Sequence, residues 1–185
     1  MLQDERSLAG LTEEQIRSIV RDELAKAKDP GSKKAAIIAS KGTLDWAYPP
    51  LILANASAAA GMETAVFFTF YGLQLLKKDL SDVKISPLAN PAMPMPIPMP
   101  VLVSALPGME TMATAMMKQK IKSKGVASLE ELRAACLESG VKMIGCQMTV
   151  DLFDFSHDQF IKEAEYGGAS TFLQFAGESD ICLFI

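Results

Sequence analysis

The 185-residue sequence predicts an α/β fold: a parallel sheet of about five strands with helices on both faces. Three observations predict it. The runs KAAIIAS and TAVFFTF are short, apolar and free of internal charge, as strands buried on both faces are. Longer segments carrying helix start and stop signals alternate with them. Turn residues such as Lys41-Gly42 and Tyr71-Gly72 close each run.

Taken in order, Leu11 to Lys28 reads as a helix, with Thr12 as N-cap, Gln15 closing a capping box and Asp29-Pro30-Gly31 as the stop. This sets residues 1–31 apart as a helical appendage to an α/β domain over 32–185. Lys34 to Ser40 is the first core strand. Leu44 to Ala60 is the helix after it, where Pro49 and Pro50 are tolerable only near the first turn and Gly61 suits the C′ position. Thr64 to Phe70 is a second buried strand, rich in aromatic and β-branched residues, and completes a βαβ unit.

The next stretch, 85–109, reads as an insertion. From Ile85 to Met109 no residue is charged, a run longer than the roughly 20 residues that span a bilayer. Pro87, Pro91, Pro94, Pro96, Pro98, Pro100 and Pro107 rule out a spanning helix, because each removes a donor that hydrocarbon cannot replace. From Ser86 to Pro107, with its PAMPMPIPMP tract, an extended polyproline-type excursion or lid is expected. Met93, Met95 and Met99 make it an adaptable apolar dock, an oligomer interface or a peripheral membrane contact. A surface this apolar needs cover, which points to a homo-oligomer.

Gly108 to Lys124 reads as a helix, and Ser128 caps another over Leu129 to Ser139, with Glu131 in its capping box. Gly140 ends it. Val141 to Gly145 is then a short strand that delivers Cys146 at its carboxyl end. Helices over Ser156 to Glu165 and Ala169 to Ala176 and a last strand over Ile181 to Ile185 complete the pattern.

Composition excludes several functions. Net charge of −4 leaves no basic field for a phosphate backbone, so nucleic acid is not expected as a partner. Lys118, Lys120, Lys122 and Lys124 read as a solvated helix face. No GxGxxG or P-loop is present, and no cofactor is implied. Cys136, Cys146 and His157 show neither CxxC nor HxxxH spacing, so no metal site is expected, and His157 reads as a surface or capping residue. Asp4 and Glu5 stand where a secretory signal would be basic, so the cytoplasm is the expected compartment, with the three cysteines kept as thiols.

The run GVKMIGCQMTVDLFDF, preceded by SLEELRAACLESG and trailed by a Gly-rich turn and a closing strand, resembles the DsrE/DsrF-like sulfurtransferases. The likeness spans roughly Lys33 to Ile185 and is strongest to a branch with a Pro/Met-rich insertion and two cysteines. It implies a flavodoxin-like fold, assembly into trimers or hexamers, and sulfur-relay partners of the TusA or rhodanese type. It also implies that Cys146 carries sulfur and that Cys136 is the second thiol.

The residues add their own argument. A thiol at the start of a helix feels the positive end of the helix dipole, which favours the thiolate that attacks sulfur donors. Lys142, on the same side of the strand as Cys146, would add positive potential if that side is open. Cys136 also fits a core position in its helix, and Cys182, between Ile181 and Leu183, reads as core. Two other readings stay open: a non-catalytic scaffold with inert thiols, and a redox protein that pairs Cys146 with Cys136.

Overall fold

The computed structural model describes residues 12, 15–18, 33–86 and 108–185. The chain divides into two units, Met1–Ser32 and Lys33–Ile185. In the first, residues 15–18 are helical. The Thr12 amide donates to Gln15 Oε1 at 2.9 Å while the Gln15 amide donates to Thr12 Oγ1 at 3.4 Å, so the capping box is made. The rest of the expected 11–28 helix, and the polyproline-type excursion, fall outside the described residues but for Ser86.

The second unit runs β1 (Lys34–Ala39), α1 (Leu44–Ala59), β2 (Glu63–Phe68), a 3-10 helix (Phe70–Leu76), α2 (Met109–Ser123), α3 (Leu129–Glu138), β3 (Lys142–Cys146), α4 (Gln147–Leu152), a short 3-10 turn (His157–Gln159), β4 (Glu165–Gly167), α5 (Ala169–Gly177) and β5 (Ile181–Phe184). The sheet has five strands in the order β4-β3-β2-β1-β5, all parallel. This is a flavodoxin-like α/β arrangement, as the sequence predicts.

The order explains how the faces are filled. From β1 to β4 each strand is laid beside the last in one direction, and right-handed crossovers then put every connection on the same face. The main core lies there, where Leu51, Cys136, Val150 and Phe160 pack on Ile37, Val66, Phe68 and Met143. The step from β4 to β5 crosses back to the opposite edge. Its connection, α5, therefore covers the other face, with Phe172 packed on Ala36, Ala65, Phe67 and Ile144.

Three expectations need correction. Pro49 and Pro50 stand in the second turn of α1 rather than the first. The helix continues because Leu44, Ala47, Pro50, Leu51 and Ala54 are all buried along one side, which outweighs two missing backbone donors. The helix expected over Ser156 to Glu165 does not form. Its apolar positions Phe160, Ile161 and Ala164 suggest a helical period, yet the segment bonds as extended chain to the end of the 3-10 helix. Lys77 bridges Phe160, and the Ile161 amide donates to Leu76 O at 2.9 Å. The chain then enters β4, a strand that sequence reading did not find. Finally, all of β5 is exposed, Cys182 included, because among the described residues it is an edge strand covered on neither side.

Candidate functional site

Cys146 is the last residue of β3 and the N-cap of α4. The connection leaving β3 goes to the main-core face, whereas the one leaving β4 goes to α5 on the other. The crevice between the carboxyl ends of β3 and β4 lies at the carboxyl edge of the sheet, the side on which parallel α/β folds bind ligands. Cys146 stands in it, paired across the strands with Gly167.

Glycines let the backbones close around this point. A Cβ on Gly145 would lie 3.2 Å from both Leu76 Cδ1 and Tyr166 Cδ1 and 3.3 Å from Leu73 Cδ2. Strand alternation then turns Cys146 to the opposite face, among Ala36, Ala65, Phe67, Ile144 and Phe172, where it is 3% exposed. α4 has only six residues, under two turns, so the dipole at its start is that of a short helix.

One turn after Cys146, the fully buried Thr149 links two loops. Its hydroxyl oxygen accepts the Phe70 amide at 3.3 Å and lies 3.4 Å from the Thr69 hydroxyl. Phe70 is held at φ +49°, a left-handed conformation that a bulky residue rarely adopts and that concentrates at functional sites. Phe70, Tyr71 and Phe153 touch pairwise, with centroids 6.1 to 6.2 Å apart. With Met148 and Leu152 of α4, 65% and 59% exposed, they present apolar surface on the segments that follow β2 and β3. Thr149 and Phe70 carry no sequence signal, since a threonine inside a short helix and a phenylalanine after a strand are ordinary.

The other expected residues lie elsewhere. Lys142 is at the far end of β3, bonded to Glu63 at 2.7 Å and placed over the Phe175 ring. Four strand residues span about 13 Å, so it supplies no local potential to Cys146. Cys136 is fully buried on the main-core face, where its Sγ donates to Leu51 O of α1 at 3.3 Å. Burial pushes its thiol up to about 11, against a smaller opposing hydrogen bond from the Asn55 backbone. The two thiols thus face opposite sides of the sheet, and a disulfide between them would require both to leave their packing. Cys182 is exposed on β5, with β2 and β1 between it and the strand of Cys146, so the expectation of a core position fails. His157 is exposed and stacks on Tyr166, centroids 4.0 Å apart.

Two cavities among the described residues lie away from Cys146. One of about 800 Å3 lies among Leu44, Tyr48, Lys118, Ile121 and Leu129, and another of about 370 Å3 among Lys41, Trp46, Tyr71 and Gln74. Neither is lined by Cys146. Among the described residues no group of three or more His, Cys, Asp or Glu side chains could hold a metal ion, and no helix is long and apolar enough to cross a membrane.

Comparison with known proteins gives this geometry a context. The DsrE/DsrF/DrsH-like family matches residues 31–184, nearly the whole α/β unit. The chain is 66% identical to the sulfur carrier protein DsrE2 of Allochromatium vinosum, over 83% of its own length and 98% of that protein's. It is 30% identical to the uncharacterised protein YrkE of Bacillus subtilis, again over 83% and 98%. With the matched region covering all five strands and the cysteine at the carboxyl end of β3, the chain belongs to the DsrE/DsrF/DrsH-like family.

Proposed function

We propose that this protein is a sulfur carrier or sulfurtransferase that holds sulfane sulfur on Cys146 and passes it to an acceptor thiol. The observation that carries the reading is the 66% identity, over almost the full length of the relative, to a protein named as a sulfur carrier. The position of Cys146 supports the assignment of the sulfur to that residue. In the loading step the Cys146 thiolate attacks the terminal sulfur of a donor persulfide R–S–SH. The bond from that sulfur to R–S breaks as the new S–S bond forms, and R–S⁻ leaves and takes up the proton that Cys146 gave up. Cys146 ends as a persulfide, with no net oxidation. Attack on tetrathionate would leave a thiosulfonate on the same atom and release thiosulfate.

The burial and suppressed ionisation of Cys136 support a structural thiol there rather than a second attacking one. Sulfur-relay proteins of the TusA or rhodanese type, in the cytoplasm, are the proposed partners. The exposed apolar strand β5 supports self-association of the chain, with a trimer or hexamer as the proposed state.

Mass spectrometry after incubation with polysulfide, thiosulfate or tetrathionate tests the reading. Cys146→Ser should abolish loading and Cys136→Ser should leave it. Adducts that persist in Cys146→Ser and vanish in Cys136→Ser would reverse the assignment. A folded wild-type chain that takes up sulfur from none of the donors would leave a non-catalytic scaffold.

A further inference from the structure

We propose that α5 is a movable cover over Cys146, and that sulfur reaches this thiol when the first turn of α5 lifts from the sheet. The proposal rests on the carrier reading of Cys146. A carrier thiol must meet its donor atom to atom, because an S–S bond forms only when the incoming sulfur contacts Sγ. Yet Cys146 is 3% exposed and packed in one cluster with Phe172 of α5. Some element has to move.

The topology singles out α5. It is the helix that contributes to the smaller cluster, because only the β4-to-β5 connection crosses back over the sheet. Moving α1 or α3 would open the main core, whereas lifting α5 uncovers only the small cluster around Cys146.

Its two ends are held differently. At the far end the Lys34 ammonium donates to Glu178 at 2.6 Å, and Lys34 and Lys142 each lie 5.5 Å from the centre of the Phe175 ring. Asp180 just beyond accepts the Lys34 amide at 2.8 Å. At the near end α5 joins β4 through Gly167-Gly168, and Gly167 is the strand neighbour of Cys146. Among the described residues no side-chain hydrogen bond or ion pair holds residues 168–171. Between the ends, Phe172 stacks on Phe67 with centroids 4.9 Å apart and an interplanar angle of 18°. The motion therefore pivots at the ion-paired end, flexes at the glycine pair and parts the Phe172–Phe67 stack. Segments of low local stability, with few buried contacts, open far more readily than the whole domain unfolds.

Thiol modification by dithionitrobenzoate in the full-length chain tests this, with the exposed Cys182 changed to Ser and adducts assigned by peptide mass. Cys136, on the other face, serves as the internal reporter of global opening. Phe172→Ala should speed the modification of Cys146 on the order of tenfold or more. Gly168→Ala should slow it, because φ is −83° there and no atom lies within 4 Å of an added Cβ. The closed form accepts alanine while the flexing link loses freedom. The Cys136 rate should stay constant throughout. If circular dichroism shows Phe172→Ala unfolded, Phe172→Leu keeps the apolar bulk without the ring stack and takes its place. Equal Cys146 rates in all chains, or changes that only track those of Cys136, would overturn the cover. Polysulfide loading of the same chains separates the two ideas. A Cys146 that is modified in the expected order but never takes up sulfur defeats the carrier reading and leaves the cover. Sulfur loading that ignores the α5 substitutions defeats the cover and leaves the carrier.

Discussion

Two cysteines ten positions apart show how far the environment of a residue decides its chemistry. Cys146 ends a strand at the carboxyl edge of the sheet, whereas Cys136 sits between α3 and α1 as a buried donor to Leu51 O. Desolvation disfavours the thiolate at Cys136 and raises it to about 11. In the unfolded chain a cysteine ionises at about 8.5. Between those values the unfolded state loses a proton that the folded state keeps, so stability falls as pH rises. The contribution is fully present below the unfolded value and gone above the folded one, a loss on the order of 3 kcal/mol. Urea unfolding in reductant, below and above that window, should show the decline, and Cys136→Ala should remove this part of it. A wild-type midpoint no more alkali-sensitive than that of the variant would refute the assignment.

Among the elements, the 3-10 helix over Phe70–Leu76 does most to shape the site, and its supports come from distant parts of the chain. A Cβ on Gly72 would sit 2.1 Å from Ala39 O, so only glycine lets this segment lie on the end of β1. The buried Arg133 of α3 donates to the carbonyls of Leu75, Lys77 and Lys78, where the segment ends. No carboxylate pairs with it there among the described residues, so the guanidinium serves as a fork that gathers carbonyls rather than as half of an ion pair. Arg133→Met should cost about 3 kcal/mol by leaving buried acceptors unpaired. Arg133→Lys should recover less than half of that, because an ammonium cannot hold the same fork. Denaturant midpoints check both, and full recovery by lysine would sink the argument. None of this was legible in the sequence, where Phe70 reads as the end of a strand and Tyr71-Gly72 as the loop that follows it. The same dependence on remote partners hid β4, whose short EYG run becomes a strand only because β3 offers an edge to it.

At the scale of the molecule, the β5 edge is an apolar strand that the described residues leave without cover. Ile181, Leu183 and Phe184 are 39%, 36% and 75% exposed, on a strand with one unpaired side. Exposed apolar edges invite pairing with another chain, and self-association would bury this one. Phe184→Lys should lower the mass seen by light scattering toward that of the monomer and leave the fold intact, since Phe184 supports little of the core. A wild-type chain that stays monomeric in detergent-free buffer would remove the basis for self-association.

The sequence by itself determined the fold class, most of the strands and the place of Cys146 at a strand end. Those features rest on local signals: apolar runs such as Ala35 to Ala39, the Ser128–Glu131 capping box and the glycine stop at Gly140. Tertiary structure alone decided the strand order, and with it which face each thiol occupies. Strand alternation places residues 142, 144 and 146 together, but only the reversed crossover from β4 to β5 sets α5 over them. Strand order depends on contacts between segments far apart in the chain, which no local run of residues encodes. The burial of Cys136 and the exposure of Cys182 therefore had to wait for the packing of the whole domain.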